Sequence, residues 1–233
     1  MNNHVNILFE RLDNWRHLPN YQLERRTDIF FSLYLTGLIE AKMNCKLSEV
    51  VIPEFPVKRT LVTDKKPSNK SYKIDYVAFE NDFSRVFLVE LKTDLFSRRK
   101  EQDDYLCRAK EQGFDKVLVG LVDIFKATQS RRKYLYLFDQ LRKLGLVDIP
   151  NEVREAILEG RRARFDQIEI TVTNMDSEII YIQPRQRDDG EIVIDFDFIN
   201  EYLDKQSDEF SALFRKYLTK WKNDPSKEVG DYI

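Results

Sequence analysis

Asp75, Glu90 and Lys92 are the residues of this 233-residue chain whose types and spacing most directly suit chemistry. Asp75 lies in Ile74-Asp75-Tyr76-Val77, and the other two lie in Val89-Glu90-Leu91-Lys92, so the charges interrupt apolar runs. Burying such charges costs free energy unless they are paired or bind a metal. Two carboxylates brought together repel, and one tends to stay protonated. A divalent cation relieves both problems. Hard carboxylate oxygens suit magnesium, which keeps several waters and takes one or two protein carboxylates together with substrate phosphate oxygens. A lysine beside it neutralises charge on a phosphate or orients the attacking water. Such a trio suits hydrolysis of a phosphodiester.

Little else in the composition competes. The two histidines, His4 and His17, both fall near the start of the chain, which argues against His-centred catalysis or a His-rich metal site. Two cysteines, Cys45 and Cys107, make neither a Cys-rich zinc site nor a disulfide framework, and they fit a reducing compartment. Seven glycines and seven prolines argue against disorder and against a Gly-rich phosphate loop. The net charge of -2 excludes a global basic field, so any nucleic-acid contact must come from local patches. The apolar stretch Ile29 to Ile39 is broken by Ser32, Thr36 and Gly37 and falls short of the roughly 20 residues that span a bilayer. Met1-Asn2-Asn3-His4 has no basic flank ahead of a long apolar run, so no secretory signal is read. A cytoplasmic protein without membrane contact is the expectation.

Two strands must position the trio. Tyr72 to Glu80 and Arg85 to Thr93 carry strong strand signals around the turn-prone Asn81-Asp82. Folded about Asp82–Phe83, they set Asp75 opposite Glu90, Val77 opposite Leu88, Phe79 opposite Val86 and Lys73 opposite Lys92. Both faces are apolar, which predicts a central hairpin covered on two sides. In this register Asp75, Glu90 and Lys92 share one face at the end far from the turn.

The remaining chain reads as helices and further strands. A short apolar face (Val5, Leu8, Phe9, Leu12) and helical spacing from about Gln22 to Lys42 predict two N-terminal helices. Val50 to Val57 is strand-like but holds Pro53 and Pro56, so an edge or bent strand is expected. A polar loop spans Lys65 to Asn69. A charged helix follows from Ser97 to Gln112. Val117 to Phe125 fits helix or strand; with no turn signal after it, one helix continuing to Lys143 is preferred, closed by Gly145. A short helix near Glu152 to Glu159, strands at Gln167 to Thr173, Glu178 to Gln183 and Glu191 to Phe196, an amphipathic helix at about 198–222 and a polar tail complete the reading. No linker divides the chain, so a single domain over 1–233 is expected, with its core at about 22–183. The class is α/β, a central mixed β-sheet with flanking helices.

Ile74-Asp75-Tyr76-Val77 followed by Val89-Glu90-Leu91-Lys92 resembles the PD-(D/E)XK nuclease superfamily, whose signature is an Asp on one hairpin strand and Glu-x-Lys on the next. The resemblance runs from about Gln22 to Ala109 and departs from the signature in having no Pro before Asp75. It implies a restriction-endonuclease-like core, from which the long helical stretch Lys116 to Glu159 departs as an insertion. It also implies a Mg²⁺- or Mn²⁺-dependent nuclease acting on DNA, an endonuclease by preference, in which Asp75 and Glu90 bind the metal and Lys92 assists hydrolysis. Members such as archaeal Holliday-junction resolvases place a further Glu on the first core helix; Glu24 is similar, with Glu40 second. Another branch adds a Gln and a Tyr after the lysine strand, to which Gln102 and Tyr105 are similar, at a tighter spacing.

Nucleic acid would meet Arg98, Arg99 and Lys100 just after the site, where they could contact flanking phosphates. Arg131-Arg132-Lys133 and Arg161-Arg162-Ala163-Arg164 are further basic clusters, and a homodimer stays open. So do plainer readings. Glu90 and Lys92 could be a surface pair on an exposed strand end, Glu24 an exposed helical acid, and the whole chain a nuclease fold that binds without cutting.

Overall fold

Proline cannot donate to a sheet ladder, and the strand carrying Pro53 and Pro56 does lie at the sheet's edge. The computed structural model describes residues 3–63, 71–94, 97–172, 175–187 and 190–224. In chain order its elements are α1 (Asn3–Trp15), α2 (Glu24–Met43), β1 (Leu47–Lys58), the single turn α3 (Arg59–Val62), β2 (Ser71–Glu80), β3 (Arg85–Leu91), α4 (Lys100–Gln112), α5 (Phe114–Ala127), α6 (Arg131–Lys143), β4 (Val147–Asp148), α7 (Asn151–Leu158), β5 (Glu169–Ile170), β6 (Asp176–Gln183), β7 (Ile192–Asp195), α8 (Phe196–Asp204) and α9 (Glu209–Asn223). A five-stranded sheet has the order β1-β2-β3-β6-β7. β1 and β2 pair antiparallel whereas β6 and β7 pair parallel, so the sheet is mixed and the class is α/β. The polar loop expected at Lys65 to Asn69, Thr173, and the tail beyond Asp224 lie outside the described residues.

Chain contacts divide the protein into two compact units, Met1–Lys46 with Val89–Arg99 and Ile180–Ile233, and Leu47–Leu88 with Lys100–Ile179. In the second unit β1 is bent, with an irregularity between Leu47 and Val51 and a left-handed Glu54 at φ 51°. The turn between β2 and β3 is closed by Arg85, whose guanidinium holds both carboxylate oxygens of Glu80 at 2.7 and 2.9 Å. Folding the strands about Asp82–Phe83 sets those two residues opposite each other, and side chains directly across a hairpin are within reach. Phe114 of α5 packs against Phe55 and Phe79 at ring distances of 5.7 and 5.6 Å, covering β1 and β2.

In the first unit Phe9 of α1 is fully buried among Phe30, Phe210, Phe214, Tyr217 and Trp221, an aromatic cluster joining α1, α2 and α9. Gly37, inside α2, lets the Tyr202 hydroxyl of α8 approach where a Cβ would stand only 2.0 Å from it.

Three expectations need correction. The long helix through Lys143 is two helices, because the Thr128 side chain accepts the Ser130 backbone N–H at 3.1 Å and ends the first. The C-terminal helix is likewise two, since the Asp208 carboxylate caps a new helix through Ser211 N–H at 2.9 Å. The segment expected as a sheet strand after Gln167 is β5, which pairs with β4 in a separate two-stranded ribbon. Gly145 does end α6: its φ is 70°, and N–H groups of Gly145 and Leu146 reach Arg142 and Leu141 carbonyls at 2.9 and 3.0 Å. Among the described residues no helix is long and apolar enough to cross a membrane.

Candidate functional site

The sequence Arg85-Val-Phe-Leu-Val-Glu-Leu forms β3, whose residues are buried from Val86 to Leu91. A β-branched and aromatic run of this kind favours a central strand. Glu90 is therefore carried into the interior: it is 1% exposed. The strand does not stop cleanly at Leu91. The Lys92 N–H donates to the Ile182 carbonyl of β6 at 2.7 Å, which holds the backbone in line for one more residue. Lys92 is 2% exposed.

Its ammonium donates to Glu90 Oε1 at 2.6 Å and to the Leu91 carbonyl at 2.9 Å, and lies 3.6 Å from Glu24 Oε2. Glu24 comes from the first turn of α2, where the helix dipole favours a carboxylate. Its side chain is 31% exposed, so one end of the cluster reaches solvent. Two carboxylates thus share one ammonium, and the surface-pair reading of Glu90 and Lys92 falls with their burial. Glu40, at the far end of α2, is instead the partner of Lys46 at 3.2 Å.

Asp75, Gln102 and Tyr105 belong to the second unit. Asp75 lies half-buried on β2 between the buried Ile74 and Tyr76. Gln102, on α4, is half-buried. Tyr105 is 3% exposed; it stacks on Tyr72 at 4.7 Å, and its hydroxyl donates to the Lys73 carbonyl at 2.7 Å. Those contacts dock α4 on β2.

The basic stretch after the site is split in its orientation. Arg98 turns inward with its side chain 4% exposed, its guanidinium 3.6 Å over the Tyr181 ring and paired with Glu191. Arg99 and Lys100 are exposed. Of the more distant clusters, Arg131 covers the Phe165 ring at 5.4 Å, Arg132 donates to the Leu158 carbonyl at 2.7 Å and Arg161 pairs with Glu159.

Sequence reasoning passed over Thr93, Asp94 and Gln183, which are 5%, 8% and 5% exposed. Thr93 and Asp94 follow Lys92 directly, and Gln183 follows Ile182, the backbone partner of Lys92. The available signal was three polar residues at or just past the ends of strands, Gln183 closing β6 and Thr93 and Asp94 following β3. Among the described residues no three His, Cys, Asp or Glu side chains stand already gathered for a metal ion. No family model, no characterised protein and no solved structure matches the chain.

Proposed function

We propose that this protein is a Mg²⁺- or Mn²⁺-dependent nuclease that hydrolyses phosphodiester bonds, with DNA as its substrate and internal cleavage as its mode. One observation carries the reading. Glu90 and Lys92 form an ion pair withdrawn almost wholly from water, and the half-open Glu24 carboxylate faces the same ammonium. A buried ion pair adds little net stability over an apolar pair of the same size, so a functional role accounts better for its presence than a structural one.

The donors fit a hard cation. Glu90 and Glu24 offer carboxylate oxygens, and Asp75 would add another in the register expected from the sequence; none is a sulfur or imidazole ligand of the kind that selects softer metals. In this reading Asp75 and Glu90 hold the ion, and Glu24 orders a second one. The bound cation would supply Lewis acidity at the scissile phosphate and an acidified water. Lys92 neutralises charge on the phosphate and holds the attacking water, with Glu90 and the Leu91 carbonyl fixing the direction of its ammonium. Arg99 and Lys100 meet flanking phosphates.

A second reading, a nuclease-like fold that binds nucleic acid or protein without cutting, is favoured by Arg98. That cation is committed to Tyr181 and Glu191 rather than offered to a phosphate.

Cleavage of single-stranded, double-stranded and branched DNA and of RNA, with Mg²⁺ or Mn²⁺, decides between them. The nuclease reading expects cleavage that EDTA and Lys92→Gln both abolish. Equal cleavage by folded Lys92→Gln would sink the assigned site, and binding without cleavage of any substrate would favour the second reading.

A further inference from the structure

On the first unit, α1 and the start of α2 enclose a groove of about 690 Å³. Trp15, Tyr21, Arg11 and Arg26 are among its lining residues, together with Leu8 and His4. The indole of Trp15 is 44% exposed although it is held on two sides. The Arg11 guanidinium lies 5.8 Å from its ring centroid, and Tyr21 meets it edge-on at 6.1 Å. Among the described residues no carboxylate lines the groove, in a chain where acids outnumber bases 40 to 38. Arg26 sits in the same first helical turn as Glu24, so the groove leads to the end of α2 that faces Lys92.

A half-open indole flanked by the Arg11 guanidinium and the Tyr21 ring, in a groove that Arg26 also lines, meets two chemical demands at once. A planar base stacks on the aromatic face, and the adjoining phosphates pair with the arginines. An apolar helix of another protein would have no use for the two cations. We infer that this groove binds single-stranded nucleic acid, with a base stacked at Trp15 and its backbone phosphates on Arg11 and Arg26. The inference deepens the proposed function, since it names the form of substrate that the Glu24–Lys92 cluster receives.

The test uses the full chain in EDTA, so that binding is read without cleavage, and an oligothymidylate as the probe. The chain has two tryptophans, and Trp221 is 1% exposed, so indole emission that responds to the probe comes from Trp15. The expected result is quenching of that emission and affinity about tenfold weaker in Trp15→Ala. Arg26→Glu, a change at an exposed position, should weaken binding similarly and flatten its salt dependence. Unchanged affinity in both variants overturns the inference. So does a wild type that ignores the probe but sediments as a dimer dissociated by Trp15→Ala, or that prefers an acidic peptide at Trp15. Trp15-dependent binding without cleavage of any substrate would remove the nuclease reading and leave the groove. Cleavage with Trp15-independent affinity would do the reverse.

Discussion

The ammonium of Lys92 donates to Glu90 Oε1 across 2.6 Å, from side chains 3% and 1% exposed. Removing water from both ions costs several kcal/mol each, and their attraction roughly offsets that cost only while both are present. The pair is therefore costly to break by removing one partner, yet hard to justify by stability alone.

Removing one partner should cost about 3–5 kcal/mol, since the other charge is left buried. Lys92→Met alone and Glu90→Leu alone are expected to fall in that range by urea denaturation, while the double variant returns close to wild type. A double variant as unstable as the singles would mean that the pair contributes to the fold beyond its own two charges.

Divalent cation should raise the melting temperature of the wild type, because a ligand bound only by the folded state stabilises it. Asp75→Asn and Glu90→Gln should each lose that rise, and Glu24→Gln should reduce it. Melting curves that Mg²⁺ and Mn²⁺ leave unmoved in the wild type would count against the metal site.

Arg98 and its two neighbours should separate by measurement. Arg98→Ala removes the cover of Tyr181 and leaves Glu191 without its guanidinium, at an expected cost of about 1–3 kcal/mol. Arg99→Ala and Lys100→Ala should leave stability within about 0.5 kcal/mol but each lower the salt dependence of DNA binding by about one unit of slope. A loss of stability in the latter two would place them, too, in the packing.

The Glu80–Arg85 pair makes a pH prediction. The Arg85 guanidinium holds the Glu80 carboxyl below its ordinary value of 4.5. A carboxyl lowered in this way contributes stability above its unfolded value and loses it as pH falls through the lowered folded one. Glu80→Gln should therefore be less stable than wild type at pH 7, by no more than about 1 kcal/mol because the pair is partly exposed. The gap should close below pH 4.5; a constant gap across that window would mean that the charge is not its cause.

Much of this was legible from residue order because it rests on local rules. Near-continuous apolar runs around Asn81-Asp82 marked β2 and β3, prolines marked β1 as an edge or bent strand, and Gly145 marked the end of α6. The break at Thr128–Ser130 was not, because Thr-Gln-Ser without Gly or Pro is only a weak turn signal. Nor was α5 settled by period: between Val117 and Phe125 only Asp123 is polar, and the less buried stripe of Asp115, Lys116, Val119, Asp123 and Lys126 runs beyond that window at both ends.

At the candidate site, sequence by itself determined that Glu90 and Lys92 stand two apart on an apolar strand, facing one way, because strand geometry alternates side chains. Only the tertiary structure decided that the pair is buried rather than a surface ion pair. It chose Glu24 over Glu40 as the acid beside Lys92, and it turned Arg98 inward while leaving Arg99 outside. Burial and long-range partners depend on which elements pack together, and one strand's spacing carries no record of the helix that comes to lie against it.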